Sequence, residues 1–289
     1  MKEIVKEKIA SLLSGDEEIL SVEQLGGMTN QNYLVQTSSN QYIVKFFGKG
    51  TDKLIDRQNE KFNLELLKDL KLDVENYLFD IEAGIKVNQY IENAETLDST
   101  TIKSKFEKIA PILQTIHASG KELRGEFAPF EEIKKYESLI QGEISYPNYD
   151  AVRKSVFSLK EELEQIGVDK KSCHIDLVPE NFIEGPDGHL YLIDWEYSSM
   201  NDPMWDLAAL FLESEFTSAE EEDFLSHYES DNTPVSREKI RIYKILQDII
   251  WSLWTIYKEE NGADFGDYGI SRYNRAVKEL ESEGDLNEN

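Results

Sequence analysis

Cysteine is almost absent from the sequence: Cys173 is the only one in 289 residues. A single thiol excludes an internal disulfide and any metal site built from several cysteines. The neighbouring His174 would suit a nucleophilic cysteine, but an isolated cysteine more often behaves as a small apolar residue. We therefore expect Cys173 in a buried strand and look elsewhere for the chemistry.

Long apolar runs are absent as well. No stretch approaches the roughly 20 consecutive apolar residues of a membrane-spanning helix, and residues 1–7 lack the apolar core of a signal peptide. We expect a cytoplasmic protein without membrane insertion. Hydrophobic residues make up 40% of the chain, which predicts a folded protein with one large or two moderate domains.

Basic residues are scarce relative to acidic ones. Lysine and arginine number 31 against 57 aspartates and glutamates, which gives a formal net charge of −26. Nucleic acids and anionic membranes bind basic patches, so we expect neither as a partner. Most acidic side chains should lie dispersed over solvated faces. The phosphates of a nucleotide would need local screening by lysine and Mg²⁺.

One motif stands out from this composition. His174, Asp176, Leu177 and Asn181 form the pattern H-x-D-L-x-x-x-N, and Asp194 follows downstream. A kinase needs a group that accepts the hydroxyl proton and oxygen ligands for its metal ions. An aspartate can accept that proton, and asparagine and aspartate oxygens are ligands that Mg²⁺ prefers. The motif predicts phosphoryl transfer.

The sequence between Asn181 and Asp194 strengthens this interpretation. Two short apolar runs, 181–183 and 190–193, flank the turn sequence Gly-Pro-Asp-Gly at 185–188. An antiparallel hairpin would bring its two open ends together, so both side chains could reach one metal cluster. The alternative is that these residues only cap loops and a helix, and the hairpin and the spacing together favour the metal site.

The N-terminal part has strand patterns. Runs at 20–25, 32–37 and 41–47 predict a β-meander, and runs at 77–80 and 84–91 predict two further strands. Gly26, Gly27, Thr29 and Asn30 lie between the first two strands, where small residues let backbone N–H groups approach phosphates. An ordinary hairpin turn is the alternative for this loop. The passage 88–95 is the expected hinge, where adenine could bond to the backbone of Gln89, Tyr90 and Ile91.

Lys45 interrupts the apolar run of the third strand. A buried ammonium must be paired, and Glu60 or Glu65 on the predicted helix 57–70 could supply the carboxylate. Kinases hold the α- and β-phosphates with such a pair of lysine and glutamate. The alternative is a solvent-facing lysine on an edge strand, and the motif at Asp176 favours the functional interpretation.

Helical patterns dominate from Thr100 onward. His117 lies near the apolar stripe of the first helix, where a core or helix-end histidine is expected rather than a ligand. The polar residues 283–289 are expected to fray. The predicted helices span 102–119, 130–141, 149–166, 203–215, 219–228, 237–260 and 268–282.

Four segments, 26–33, 174–181, 192–198 and 201–208, carry a family resemblance. They resemble the choline/ethanolamine kinase and aminoglycoside phosphotransferase family and, within it, the bacterial LicA-type choline kinases. The resemblance runs over nearly the whole chain. It implies an α+β, two-lobed protein-kinase-like fold, with an antiparallel β-rich nucleotide-binding lobe at 1–91 and a mostly helical catalytic and substrate-binding lobe at 92–289.

The resemblance also implies residue roles. Asp176 becomes the catalytic base, Asn181 and Asp194 the Mg²⁺ ligands, and Lys45 the phosphate anchor with Glu60 as its partner, while Glu65 stays an alternative. Asp194-Trp195-Glu196 replaces the D-F-G of protein kinases and no A-P-E segment follows, so control by activation-loop phosphorylation is not expected. The full set of expected ATP-binding residues is Gly26, Gly27, Thr29, Asn30, Lys45, Glu60, Gln89, Tyr90 and Ile91.

Choline carries a quaternary ammonium, which donates no hydrogen bond and is bound by aromatic faces and diffuse negative charge. By resemblance, Glu213, Trp251 and Trp254 line the choline site beside Asp176, and Tyr197 adds a further wall. The spacing i, i+3 places both tryptophans on one helix face. A tryptophan pair at this spacing is otherwise typical of a core.

The resemblance therefore implies a kinase that uses ATP and Mg²⁺ to convert choline to phosphocholine. One rival is a kinase of the same fold that acts on another amino alcohol or on an aminoglycoside, whose many ammonium groups would require several carboxylates. Another rival is a nucleotide-binding module without catalysis. The presence of all four of Lys45, Asp176, Asn181 and Asp194 argues against the second rival.

Overall fold

The structure, a computed structural model, describes residues 2–9, 12–13, 16–26, 30–48 and 50–287. Its helices and strands alternate in the N-terminal part, and helices predominate thereafter. In the N-terminal part the elements are α1 (Lys2–Ile9), β1 (Ile19–Gln24), β2 (Gln31–Thr37), β3 (Gln41–Phe46), α2 (Arg57–Leu67), β4 (Asn76–Asp80) and β5 (Ile85–Gln89).

The remaining elements form the C-terminal part. They are β6 (Glu95–Thr96), α3 (Phe106–His117), α4 (Pro129–Leu139), α5 (Tyr149–Ile166), β7 (Lys171–Cys173), β8 (Phe182–Glu184), β9 (Leu190–Leu192), β10 (Ser199–Asn201), α6 (Pro203–Glu213), α7 (Ser218–Tyr228), α8 (Arg237–Glu260) and α9 (Tyr268–Asn287). No helix within these described ranges is long and apolar enough to cross a membrane.

The N-terminal lobe is a five-stranded antiparallel sheet in the order β1-β2-β3-β5-β4. Alternation along each strand turns Val35, Val44 and Val87 to one face, where they are fully buried together with Val5 and Ile9 of α1. Helix α1 and this face of the sheet thus share a small apolar core. The predicted meander and the two further strands are thus present, with ends within two residues of those expected.

Helix α2 fastens the sheet to the rest of the chain. It begins at Asp56, whose side chain caps it by accepting the N–H groups of Gln58 and Asn59. The buried side chain of Asn63 donates to Ser198 O at 2.8 Å and to Arg124 O at 3.1 Å. An N-terminal helix is therefore anchored directly on the C-terminal lobe.

The C-terminal lobe is organised around α8, which packs against α4, α6 and α9. Its central residues Ile245, Leu246, Ile249 and Ile250 are almost completely buried in one continuous apolar core. Because other helices cover α8 on several faces, its apolar residues lie on more than one side of the helix. This core supports α6 and the loops that precede it.

The C-terminal part also contains two small sheets, one of three strands and one of two. Strands β8 and β9 form the predicted hairpin, with Phe182 opposite Leu192, and β6 pairs with the outer edge of β8. Strand β7 pairs with β10. Strand β7 ends at Cys173, which was expected in a buried strand. The sequence did not predict β6 or β10, because strands of two or three residues show no periodicity.

Several helix ends differ from the prediction. The helix expected over 57–70 changes to a 3₁₀ turn at Lys68–Leu70, and the helix expected from 102 begins at Phe106 after a 3₁₀ turn. Helix α9 continues to Asn287, so the expectation of a frayed end from residue 283 is wrong for the backbone of 283–287. Short 3₁₀ turns at helix ends are common and carry no distinct sequence pattern.

Candidate active site

The loop after β7 carries Asp176 and is held in an unusual backbone conformation. Ile175 has a φ of 78°, which costs a β-branched residue on the order of 1–3 kcal/mol. The buried carboxylate of Asp206 compensates, because it accepts the N–H groups of His174 and Ile175, each at 2.8 Å. Trp205 Nε1 donates to Ile175 O at 3.0 Å. The start of α6 therefore fixes the position of Asp176.

His117 is a structural histidine, as its place on the apolar stripe predicted. Its ring nitrogens lie 3.0 Å from Asp206 Oδ2 and 2.7 Å from the Tyr228 hydroxyl. Cys173 is buried at the end of β7 and donates to Asn201 O at 3.4 Å. His117, Cys173 and Asp206 lie close enough for a metal ion, but these hydrogen bonds already use their ligand atoms.

The structure brings together the three residues of the predicted phosphoryl-transfer motif. The Asn181 amide nitrogen donates to Asp176 O at 2.8 Å, and Ile193 N donates to Asn181 O at 2.8 Å across the hairpin ends. His174 Nε2 lies 2.9 Å from Ile193 O. Asn181 and Asp194 thus meet beside Asp176, as the hairpin predicted.

The donor set at the hairpin ends fits a magnesium ion. Since the Asn181 amide nitrogen is used by Asp176 O, its carboxamide oxygen is the atom left for a ligand. Asp194 uses only Oδ1 in its hydrogen bond to Lys45, so Oδ2 accepts no hydrogen bond from the described residues. One neutral and one charged hard oxygen suit Mg²⁺.

The electrostatics distinguish the two carboxylates. Burial, followed by the nearby charges of Asp194, Glu213 and Glu196, raises the pKa of Asp176 to about 8. Burial would also raise the pKa of Asp194, but the ammonium groups of Lys45 and Lys86 outweigh it and hold that pKa below its usual value. Asp194 is therefore the permanent anion of the pair.

The expected ion pair of Lys45 with Glu60 is wrong. Lys45 is buried on β3, as predicted, but its ammonium donates to Asp194 Oδ1 at 2.6 Å. Glu60 instead accepts from Lys86 at 2.6 Å and from Arg57 at 2.7 Å, so two other cations already neutralise it. The alternative partner, Glu65, is exposed.

Lys86 and Arg57 are site residues that sequence reasoning missed. Lys86 lies directly opposite Lys45 in the pairing of β3 with β5, so two buried ammonium groups stand side by side. Each interrupts an apolar run in the same way, and the signal that identified Lys45 would also have found Lys86. Arg57 opens α2, and no sequence pattern marks it as buried.

A buried polar cluster joins the β1–β2 loop to the segment after Asp194. Arg57 donates to Glu196 Oε2 at 2.8 Å and to Asn30 Oδ1 at 3.0 Å. Asn30 in turn donates to Glu196 Oε2 at 2.7 Å. The expected phosphate loop is thus attached to the metal side of the site by side-chain bonds.

Of the other expected nucleotide-binding residues, the structure describes Gly26, Gln89, Tyr90 and Ile91. Gly26 has open space around its Cα and accepts from the Asn32 side chain at 2.9 Å. Gln89 N donates to Glu75 O at 2.8 Å, and Tyr90 and Ile91 continue the chain from β5 to β6. Gly27 and Thr29 lie outside the described residues.

Three aromatic rings, those of Tyr197, Trp251 and Trp254, lie close together. Trp251 and Trp254 stand edge to face with ring centroids 6.4 Å apart, and Tyr197 lies 5.9 Å from Trp251. The Lys258 ammonium lies 5.7 Å from the Trp254 ring centroid, so this ring already faces a cation. Both tryptophans are largely buried, at 8% and 6% exposure.

Glu213 occupies the end of α6 but is not a free anion. Arg272 Nη1 donates to Glu213 Oε1 at 2.5 Å and to the Tyr268 hydroxyl at 2.7 Å. The charge of Glu213 raises the pKa of Asp176 and that of Arg272 lowers it, which places both near the reacting centre. Sequence reasoning missed Arg272, because its partner lies 59 residues away.

Comparison with known proteins agrees with this geometry. Residues 22–241 match the family model for choline/ethanolamine kinase. Protein LicA of Haemophilus influenzae is 33% identical over 269 residues, which cover 89% of this chain and 79% of that protein.

Two solved structures are closely similar. The crystal structure of choline kinase LicA from Streptococcus pneumoniae is 78% identical, with a TM-score of 0.94 over 98% of this chain and 99% of that chain. A structure of LicA in complex with AMP is 79% identical, with a TM-score of 0.92 over 97% and 98%. The predicted α+β, two-lobed kinase-like fold is confirmed.

Proposed function

The chain belongs to the choline/ethanolamine kinase family, and on this basis we propose that it is a choline kinase. It transfers the γ-phosphoryl group of ATP to the hydroxyl of choline and releases phosphocholine and ADP. The observation that carries the proposal is the convergence of Asp176, Asn181, Asp194 and Lys45 at one point between the lobes. A similar structure with AMP bound supports nucleotide binding.

Asp176 is the residue that receives the hydroxyl proton. Its carboxylate accepts no hydrogen bond from any described residue, and it projects from a loop fixed by Asp206. A substrate hydroxyl can therefore bond to it and be aligned for attack. A divalent cation beside it would add positive charge and lower its raised pKa, so that the carboxylate is ionised at neutral pH.

Asn181 and Asp194 would hold Mg²⁺, which screens the phosphate charge during transfer. Lys45 anchors the phosphates from the sheet side, next to Asp194 at 2.6 Å. Glu60 stays on the nucleotide side of the site, where it pairs with Lys86. Its negative charge still raises the pKa of Lys45, without an ion pair between the two side chains. Gly26, Gly27, Thr29 and Asn30 would lie over the phosphates, and Gln89, Tyr90 and Ile91 against the adenine.

Trp251, Trp254 and Tyr197 bind the trimethylammonium group of choline, with Glu213 at the other side. A desolvated cation–π contact contributes about 1–2 kcal/mol, and the ring centroids of Tyr197 and Trp251 lie 5.9 Å apart. An aromatic surface of this kind suits a quaternary ammonium better than the several primary ammonium groups of an aminoglycoside.

The proposed organisation has a nucleotide-binding lobe at 1–91 and a catalytic and substrate-binding lobe at 92–289. We place the reaction in the cytoplasm, where ATP is available. The acidic composition, with a net charge of −26, supports a cationic small molecule as substrate and not a nucleic acid.

The test is ADP release from ATP and Mg²⁺ with choline, ethanolamine or an aminoglycoside supplied separately. Strong turnover with choline and none with the aminoglycoside is the expected result. Preference for the aminoglycoside would leave the chemistry in place and refute the substrate. Failure with all three, despite measurable ATP binding, would refute the proposed activity.

A further inference from the structure

Arg272 is a buried arginine that closes the acidic side of the proposed choline site. Its residue exposure is 4%. The guanidinium contacts Glu213 at 2.5 Å and the Tyr268 hydroxyl at 2.7 Å, and Nε lies 3.2 Å from Asp248 Oδ1. It also lies 5.1 Å from the Tyr268 ring centroid. Helix α9 thus places one cation between α6 and α8.

The two carboxylates around Arg272 depend on it unequally. Asp248 has a second partner, since Arg275 donates to both of its oxygens at 2.6 Å. Glu213 has only Arg272 as a cation partner among the described residues. Removing Arg272 would therefore leave Asp248 paired and Glu213 unpaired.

Arg272 makes fewer hydrogen bonds than its guanidinium allows. Nη2 is buried and has no hydrogen-bond partner in the part of the chain that the structure describes, and Nε lies in ion-pair range of Asp248 without an aligned hydrogen bond. Buried donors are usually satisfied, so Nη2 is free to bond to a group that enters the site. The charge of Arg272 also reaches Asp176, whose pKa it lowers, so the guanidinium belongs to the surroundings of the substrate.

Choline and ethanolamine differ in what their cations require. A primary ammonium has three N–H donors, and burying it is costly unless acceptors replace the lost water. A trimethylammonium has no donor and is stabilised by aromatic faces. A free carboxylate in the site would accept hydrogen bonds from a primary ammonium and so favour ethanolamine. A carboxylate that is already paired with a guanidinium stabilises this ammonium much less.

We propose that Arg272 is a specificity-determining residue, which holds Glu213 in an ion pair and thereby favours a trimethylammonium over a primary ammonium. The inference rests on the proposed function, because it requires that the substrate cation lies between Glu213 and the tryptophans. Arg272 does not touch the reacting atoms. It acts by controlling the charge that the site offers.

The experiment measures kcat/KM for choline and for ethanolamine with the full chain and variants at Arg272. In Arg272→Met, the ratio of choline to ethanolamine should fall by about tenfold or more, since a hydrogen bond to a charged group becomes available to the primary ammonium. Arg272→Lys keeps the charge, and its ratio should stay within about threefold of the wild type.

A second substitution separates charge from packing. Glu213→Gln in the Arg272→Met background removes the freed carboxylate, and the ratio should return to within about threefold of the wild type. A loss of packing would lower kcat/KM for both substrates by a similar factor, so the ratio of choline to ethanolamine would stay unchanged in either variant. If Arg272→Met does not fold, Arg272→Gln replaces it with the same expectation.

The outcomes separate this inference from the proposed function. Turnover of choline by the wild type with an unchanged ratio in the folded Arg272→Met variant would overturn the role of Arg272 alone. A fall in the ratio that persists in the double variant would do the same, because Glu213 would not be its cause. A wild type that phosphorylates neither substrate would refute the proposed function itself.

Discussion

Asp176 combines a fixed backbone with a carboxylate that no described residue occupies, which is what a proton acceptor needs. Asp176→Asn keeps the shape but cannot receive the hydroxyl proton. We expect kcat to fall by about 10²- to 10⁴-fold, while the Kd for ATP changes little, because Lys45 and Asp194 are untouched. Single-turnover assays and nucleotide titration measure the two quantities. A near-normal kcat would contradict the assignment of Asp176 as base.

The protonation of Asp73 should make the free energy of unfolding depend on pH. Its Oδ1 accepts the N–H of Val74 at 2.7 Å, and burial raises its pKa to about 7 from an ordinary value of 3.8, against the opposing charge of Lys86. From about pH 4 to pH 7 the folded chain keeps a proton that the unfolded chain has lost. The free energy of unfolding therefore falls as pH rises through this range.

Asp73→Asn should remove that dependence. Relative to the wild type, the variant should gain on the order of 1–3 kcal/mol of unfolding free energy on going from about pH 5 to about pH 8. Urea denaturation of both proteins at the two pH values gives the difference, and the wild type controls for all other carboxylates. The same difference at both pH values would show that Asp73 titrates normally.

At the scale of elements, the start of α6 supports the catalytic loop. Asp206→Asn replaces one of the two carboxylate oxygens that accept the N–H groups of His174 and Ile175 with a donor. We expect a loss of about 1–3 kcal/mol in stability and a fall in kcat of about 10- to 100-fold from misplacement of Asp176. Chemical denaturation and steady-state kinetics measure these effects.

The control for Asp206→Asn is Asp223→Asn, which makes the same change on the exposed face of α7. It should leave both quantities within experimental error. If Asp206→Asn lowered stability but kept kcat, the loop would position Asp176 without help from α6.

The sequence predicted those elements whose pattern is local. The hairpin β8–β9 has apolar runs on both sides of a Gly-Pro-Asp-Gly turn, and α8 has a long apolar repeat, so both were found. Strand β6 has two residues and pairs with β8 across a gap of many residues. Such a strand is created by its partner and has no pattern of its own.

The same distinction explains the errors in the site. Asp176, Asn181 and Asp194 belong to one motif and its hairpin, and the structure brings them together. The partner of Lys45 depends on the register of β3 with β5 and on the rotation of α2, which sequence spacing does not determine. The ion pair of Arg272 with Glu213 joins α9 to α6 and depends on tertiary packing alone.

At the scale of the whole molecule, the excess of acidic residues should govern the response to salt. A net charge of −26 produces repulsion within the folded chain, and added ions screen it. Raising sodium chloride from about 20 mM to about 200 mM should raise Tm by about 2–5 °C. An uncharged osmolyte at equal osmolarity is the control, and a fall in Tm would mean that ion pairs outweigh the repulsion.

The attachment of α2 to the C-terminal lobe has a mechanical consequence. The lobes are joined by the chain at residues 89–91, by the bonds of Asn63 to Ser198 and Arg124, and by the ion pairs of Lys45 with Asp194 and of Arg57 with Glu196. Because Glu60 also ties α2 to Lys86 of the sheet, any movement of the sheet relative to the C-terminal lobe must break either the bonds of Asn63 or those of Glu60.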